Sequence, residues 1–526
     1  MVTSWPSFVN RCKSRFSAIA RSVYLGREHW IQKYREEVTS LKLQVAQLDA
    51  ERKELESVAI SLRQERDRAC DKSRELQQQL AERSKRIQLP DDPPAPGQHY
   101  GASMMALSIN LARDVGLRKS TRAMKVFFNW LGVKRKIPSY QAVRGWMQRL
   151  GLDRMQSANP KPDRIWIVDQ STQIGTDKFL TVLAVEQPKL PPVGTPLRRT
   201  DMDVLAVQPA KKWNKTNVGK LYKRLAEKYG YPIAVVTDGA VELRYPAENL
   251  EKDGVKPRVI RDLKHFLANR FEHLLNADPH YQAFVKDLNQ TRPSIQQTEL
   301  GHLCPPKMKQ KARFMNMQPL LKWAEMTLWQ LRNPDSDGRK GVSEERLKTK
   351  LGWLRKYRQD VDRWTNFQEV VSAALKFMNS QGLYFGVTDK LKVLLQRLAK
   401  GPNSKRLVSK TIDFVRSQEE KLFPGERLPN SSEILESSFG AYKQLEQQHA
   451  RNGYTQLMLA FPALLKPTTT VELRRSFKRV KVKNVKAWAD KWLPKTLDGR
   501  RLAAYTEYRK ATKASKKTNS ATPSAA

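Results

Sequence analysis

Between Val38 and Leu80 the chain repeats in sevens, with Leu41, Leu48, Leu55, Leu62, Ala69 and Leu76 at d and Val38, Val45, Ala59 and Leu80 at a. Such a seam commits the segment to a long helix that buries its stripe against another helix. Arg52, Arg66 and Ser73 also fall at a, which weakens the seam and favours a low-order assembly over a tight multimer. A solvated single helix is the alternative reading. The repeat cannot continue into the following LPDDPPAPGQ, because Pro90, Pro93, Pro94 and Pro96 lack the donor a helix needs and restrict the residues before them. The chain is therefore predicted to begin with a basic arm (1–37), a coiled coil (38–88) and a Pro-rich linker (89–99), followed by a separate body.

The body must carry a large positive charge. The 526 residues hold 96 Lys and Arg against 53 Asp and Glu, a formal net charge of +43. That imbalance argues against an ordinary metabolic enzyme and points to a polyanionic partner. With 40% hydrophobic residues the chain still has enough apolar material for packed cores. Cys12, Cys70 and Cys304 stand far apart, which excludes a disulfide framework and a CxxC zinc site and suits a reducing compartment. The longest apolar run, near Leu457–Leu465, is about half a membrane span and contains Pro462, so no membrane partner is expected. The expected location is the bacterial cytoplasm, in association with the nucleoid. Residues 1–27, with five basic groups and no acid, could imitate a transit peptide, but they lead directly into the heptads and read as a basic arm.

Residues 100–158 read as three short helices in a helix-turn-helix arrangement. Met104, Leu107, Leu111 and Val115 mark the first, Met124, Phe127, Phe128 and Leu131 the second, and Val143, Trp146, Met147 and Leu150 the third. In such a unit the last helix enters the major groove. Tyr140, Gln141, Arg144 and Arg149, with Lys134 and Arg135 in the turn before it, are the candidate DNA contacts. A basic three-helix bundle that touches no DNA would have the same pattern. From residue 163 the pattern turns to strands: RIWIVD (164–169), KFLTVLAV (178–185) and DVLAV (203–207) suit an antiparallel meander. A helix through Val218, Leu221, Leu225 and Tyr229 then crosses over to the buried run IAVV (233–236). From about 240 to 423 the sequence reads as almost wholly helical, with Trp323, Trp329, Trp353 and Trp364 as core. Residues 473–526 carry sixteen Lys and Arg against three Asp and Glu, with a basic amphipathic helix between Val471 and Leu493 and a disordered end beyond Lys510.

Two acids stand at strand ends. Asp169 closes the first run and Asp238 the fourth, and a β-β-β-α-β order can bring those ends side by side. Paired carboxylates on apolar strands repel each other unless a proton or a hard cation neutralises them, and Mg²⁺ prefers oxygen ligands. A third acid on a neighbouring helix would complete a site for two metal ions about 3.5–4 Å apart, which suits phosphodiester displacement. Glu433 and Glu436 offer themselves. Asn430 as N-cap with Glu433 three residues into the helix resembles a capping box, which would account for Glu433, whereas Glu436 has no such local task. Lys443, seven residues on, shares the face of Glu436 and could hold a DNA phosphate. Asp262 and His265 read as a pair on one face of a basic helix, able to contact metal-bound water or DNA as second-layer groups, or simply to form a structural hydrogen bond.

WIVDQS around Asp169, VVTDGA around Asp238 and SSEILESSFGAYK around Glu436 resemble the DDE transposases of bacterial insertion sequences, over roughly residues 100–450. The resemblance implies an α/β ribonuclease H-like core with a large all-α insertion, preceded by a helix-turn-helix domain and a coiled coil. It assigns 159–289 to the first part of the core, 290–423 to the helical insertion and 424–466 to the last core helices. A basic helical region (467–510) and a tail (511–526) follow. It further implies that Asp169, Asp238 and Glu436 hold two Mg²⁺ ions, with Mn²⁺ able to stand in. The protein would then be a homodimer that cuts the terminal inverted repeats of its element and joins them to target DNA. One large group of that family has a lysine seven positions after its glutamate, which Lys443 matches. That group also has an arginine four before and a tyrosine seven before, where this chain has Ser432 and Pro429. Two other readings remain: a noncatalytic DNA-binding regulator, and a ribonuclease H-like nuclease that cuts without joining.

Overall fold

The computed structural model describes residues 28–84, 92–174, 177–307, 317–333, 343–446, 455–493 and 497–519. The chain divides into two units, Met1–Asp91 with Phe128–Lys134, and Asp92–Phe127 with Arg135–Ala526. In the first, helix α1 (Glu28–Ser84) runs for 57 residues with no Gly or Pro, about 85 Å at the helical rise. Val38, Leu41, Val45, Leu48 and Arg52, all at a or d positions, are half-buried, whereas Leu55, Leu62 and Leu76 further along the seam are exposed. Residues 1–27 of the basic arm lie outside the described residues, and 28–37 are the start of α1 rather than part of a separate arm.

The second unit opens with α2 (Ala102–Val115), followed by α3 (Leu117–Trp130) as far as Phe127 and by α4 (Tyr140–Gln156). Asp92 accepts from the amides of Ser103 and Met104 at 3.0 and 2.9 Å, placing a carboxylate at the positive end of α2. Ser139 caps α4 by accepting from Ala142 N–H at 3.2 Å. The three helices stand where the sequence predicts them, but α4 is a core helix along most of its length: Val143, Met147, Leu150 and Leu152 are buried. A Cβ at Gly151 would come within 1.7 Å of the Leu459 carbonyl oxygen, so only glycine permits this approach.

The sheet has strands β1 (Arg164–Ile174), β2 (Asp177–Glu186), β3 (Asp203–Ala210), β4 (Ala234–Thr237) and β5 (Arg258–Arg261) in the order β3-β2-β1-β4-β5. β1, β2 and β3 pair antiparallel, and β4 and β5 run parallel to β1. The crossovers are α5 (Lys215–Tyr229) and α6 (Val241–Glu248). Both faces are covered. Ile165, Ile167, Val236 and Ile260 pack into a core that continues into the helices on one side, and Trp166, Val168 and Val235 pack under Val218, Leu221 and Tyr222 of α5 on the other. That is why RIWIV and AVV are continuous apolar runs rather than alternating ones. β5 corrects the reading of 240 onward as almost wholly helical. Its core is only VI, flanked by arginines, too short a run to show a period.

Helices α7 (Leu263–Asn276), α8 (Pro279–Ile295), α9 (Met317–Arg332), α10 (Glu344–Leu351), α11 (Arg358–Gln381), α12 (Val387–Leu398) and α13 (Pro402–Glu419) make the helical block. Trp364 and Trp323 are buried in it and Trp353 is partly buried, but Trp329 is 50% exposed and is not core. Asp278 pins α8 to α11, accepting from His280 N–H at 3.0 Å, the Arg363 guanidinium at 2.6 Å and Trp364 Nε1 at 2.9 Å. The next helix, α14 (Glu433–Glu446), starts after a loop and packs on β1. Short α15 (Phe461–Leu465) packs on α4, as do α16 (Thr470–Arg479) and α17 (Val482–Trp492).

Two expectations for the C-terminal region change. The single basic helix over 471–493 is two helices, parted at Val480 and Lys481, and the region after Lys510 is helical to Asn519 within α18 (Leu497–Asn519), because Ala and Lys are good helix formers. Among the described residues no helix is long and apolar enough to cross a membrane.

Burial pushes the Asp278 carboxyl up, but the bonds from Trp364, Arg363 and His280 outweigh it and hold the group below its ordinary range. A depressed carboxyl contributes stability above its unfolded value, about 3.9, and loses it as pH falls through the folded one. Asp278→Ala should therefore lower unfolding free energy by about 2–3 kcal/mol at pH 7, with the gap to the wild type narrowing toward pH 2, as read by urea unfolding across that range.

Candidate active site

The registers of β1, β4 and β5 align three aspartates. Ile167 pairs with Val236, and Val236 with Ile260. Two residues beyond each, on the same face of the sheet by the strand period, stand Asp169, Asp238 and Asp262. The first two are the acids that the sequence places at strand ends, and for Asp169 this is corrected: β1 runs on to Ile174 and Asp169 pairs opposite Thr181 of β2, whereas Asp238 follows the last residue of β4. The third could have been found from the same signal, since RVIRD (258–262) ends in an aspartate just as IWIVD and AVVTD do.

The three carboxylates do not share one environment. Asp169 is 8% exposed, and burial raises it to about 7, with the Asp238 and Asp262 charges adding to the shift and His265 opposing it. Asp238 accepts from Ala240 N–H at 2.8 Å, and burial raises it too, against that bond and His265. Its turn needs Gly239, whose φ is +87° and whose missing Cβ leaves room for the Arg261 side chain. Asp262 is buried and saturated: it accepts from Lys264 N–H at 2.6 Å, from His265 Nδ1 at 3.1 Å, from Ser432 N–H at 2.8 Å and from the Ser432 hydroxyl. Burial works to raise it, but the bonds from His265 and Ser432 prevail and depress it.

Asp262 is the N-cap of α7 rather than a residue on its face, and His265 sits in the first turn. Burial lowers the His265 imidazole, yet the bond to Asp262 and the fields of Asp262, Asp169 and Asp238 raise it to about 9. It is a cation among three aspartates. The Lys264 ammonium, also raised against the effect of burial, is 2.6 Å from a Glu436 carboxylate oxygen and 3.7 Å from Glu433. Glu436 thus lies at this end of the sheet, on the first turn of α14, engaged by Lys264. Among the described residues no group of three or more His, Cys, Asp or Glu is arranged to hold a metal ion. Asp169 and Asp238 supply oxygen donors of the kind a hard cation takes, and the charges that act on them are those of Asp262, His265 and, at Asp238, Glu242, whereas Glu436 is paired with Lys264.

The capping box at Asn430 does not form. Ser431 Oγ accepts from Glu433 N–H at 3.1 Å instead, Glu433 accepts from the Asn379 amide, and the Asn430 carbonyl accepts from Leu263 N–H at 3.1 Å. The chain enters α14 under the control of Asp262, which holds Ser432, so the cap is tertiary rather than local. Lys443 is exposed on the same helix.

The helix-turn-helix candidates separate. Lys134, Arg135 and Gln141 are exposed, and Tyr140 and Arg144 are half-buried, with the Arg118 guanidinium 5.1 Å from the Tyr140 ring centre. Arg149 faces inward: it donates to the carbonyls of Val480 and Phe477 at 3.0 and 3.1 Å and lies 3.8 Å over the Phe477 ring, closing the C-terminal end of α16. No protein-family model matches the chain, and no curated protein matches it either.

Removing Asp262 would strand the amide and hydroxyl of Ser432 in a buried place and leave the half-buried His265 cation without its partner. Asp262→Ala should cost about 3–5 kcal/mol of unfolding free energy, whereas Glu436→Ala, at a partly exposed pair, should cost under about 1 kcal/mol. Chemical denaturation of the two variants side by side checks the ranking, and equal losses would contradict the role assigned to Asp262.

Proposed function

We propose that the chain is a metal-dependent DNA strand-cutting and strand-joining enzyme, a transposase of the DDE type with a ribonuclease H-like core. The observation that carries this reading is the register of β1 and β4, which brings Asp169 and Asp238 to one sheet end beside the helix that bears Glu436. The strand order β3-β2-β1-β4-β5, three antiparallel strands followed by two parallel ones, supports the proposed core, and the net charge of +43 supports a DNA substrate.

Asp169 and Asp238, completed by Glu436, would hold Mg²⁺. Ions bound there would activate the attacking oxygen and stabilise the leaving oxygen of a phosphodiester displacement. The chain's own groups prepare the place. Asp262 orients His265 and anchors Ser432, so the start of α14 is fixed relative to the sheet end. His265 balances the acids electrostatically, and Lys264 pairs with Glu436 on the first turn of α14. Lys443, exposed on α14, is suited to a DNA phosphate. The exposed d positions of α1 fit a second copy of the chain, which is the basis for proposing a homodimer.

The Lys264–Glu436 ion pair is also the observation that favours a second reading, a noncatalytic DNA binder in which Glu436 serves only structure. The experiment is nicking and end-joining in Mg²⁺ on DNA that carries the inverted repeats flanking the coding region. Cleavage is expected from the wild type and should fall to background in Asp169→Ala and Asp238→Ala, with DNA binding retained. Cleavage surviving in either variant removes the acid assignment, and metal-independent binding without any cleavage selects the second reading.

The DNA contacts are separable in the same way. Lys134→Ala and Arg135→Ala should each reduce the salt dependence of DNA binding by about one unit of slope with folding unchanged. Arg149→Ala should lower the thermal midpoint instead. Titrations at several salt concentrations, paired with melting curves, distinguish the two classes.

A further inference from the structure

Three arginines stand near the β5 edge of the sheet, and two of them are matched by an acid. Arg258 meets Glu426, and Arg244, on α6, meets Glu248 at 3.0 Å. Arg261, the last residue of β5, is exposed, and its guanidinium meets no carboxylate among the described residues. It is held in place all the same. The guanidinium carbon lies 5.6 Å from the centre of the Phe414 ring, which stacks on Phe266 of α7 at 4.0 Å. A Cβ at Gly239 would stand 2.9 Å from the Arg261 Nε, so the guanidinium lies against the turn that presents Asp238. The charges that act most on Asp238 are those of His265, Glu242 and Asp262, which leaves the charge of Arg261 for another partner.

A second cation stands beside it. Gln418, buried on α13, accepts from the Arg261 backbone N–H at 3.0 Å and from the Lys421 ammonium at 2.9 Å, and Lys421 also donates to the Val259 carbonyl at 2.9 Å. These bonds fix an arginine and a lysine on one edge with only neutral acceptors between them. Burial lowers the Lys421 ammonium, the Arg261 and Arg244 charges lower it further, and the acid that opposes them, Glu248, is already paired with Arg244. Two cations that repel each other and share no acid are relieved by an anion. A third ammonium proton and the guanidinium fork remain to bind it, and such a fork fits the oxygens of a phosphate.

We propose that Arg261 and Lys421 hold a phosphate of the DNA strand, one that flanks the phosphate undergoing displacement at the candidate active site. That the phosphate belongs to DNA rests on the proposed function, whereas the preference for such an oxyanion rests on the two cations alone. A free phosphate would offer the same oxygens.

The test is fluorescence anisotropy of the full-length protein in EDTA, with a labelled duplex spanning one inverted repeat and its flank, so that neither metal nor cleavage is needed. Arg261→Gln should weaken binding roughly tenfold and make the plot of log affinity against log salt shallower by about one unit of slope. Arg261→Lys, which keeps the charge, should restore the slope. Lys421→Gln should also make it shallower, which keeps the test open should Arg261→Gln misfold. In duplexes with one phosphate at a time replaced by a neutral methylphosphonate, one replacement should weaken the wild type by roughly tenfold and leave Arg261→Gln unaffected, as expected when both changes remove the same contact. These results in a protein that never cleaves would support the site and fail only the strand-cutting reading. A slope unchanged by Arg261→Gln, the same methylphosphonate profile in both proteins, or no binding of the duplex would overturn the proposal. Inorganic phosphate should displace the duplex no better than chloride at equal ionic strength. Stronger displacement that Arg261→Gln abolishes would overturn the DNA source in favour of a free phosphate.

Discussion

One buried carboxylate ties the parts of this site together. Asp262 follows the last strand, caps α7, orients His265 and takes both the amide and the hydroxyl of Ser432, so donors from the adjacent helical turn and from a residue far along the chain converge on two oxygen atoms. A fully desolvated charge is tolerable only when its hydrogen bonds are complete. The end of β5, the first turn of α7 and the entry to α14 are therefore fixed relative to one another through this one carboxylate.

Asp169 and Asp238 are the opposite case. Asp238 follows β4 as Asp262 follows β5, and Asp169 lies within β1 beside them, yet both lack such a set of donors, and burial raises both rather than depressing them. The contrast assigns different tasks to residues that look alike in sequence. The satisfied aspartate builds the frame, and the other two, with fewer donors, are raised by burial and by the charges of their neighbours. His265 stands between the two sorts, held by one and facing the others.

Much of the frame was legible as pattern. The heptads of α1, the three helices over 102–156, strands β1 to β4 and the crossover α5 follow from periodicity and turn residues, because each is long or apolar enough to show its period. β5 was not, since four residues bounded by arginines carry no period of their own. Asn430 also misled: Asn followed three positions later by Glu is a cap signature, but Ser432 is held by Asp262 from another element and the helix starts later. Arg149 read as a groove contact because it lies on the last helix of a helix-turn-helix pattern, and it turns inward to close α16 because backbone carbonyls and an aromatic ring lie within its reach.

By itself the amino-acid order determined the local states, the charge, and which acids follow apolar runs, since all of these depend on residues close together along the chain. Which acids are satisfied and which are not, and where Glu436 and Arg149 direct their charges, were decided only by the tertiary structure. Hydrogen bonds and desolvation depend on what lies within a few ångströms in space, and here the partners come from elements that the sequence separates by the whole helical block.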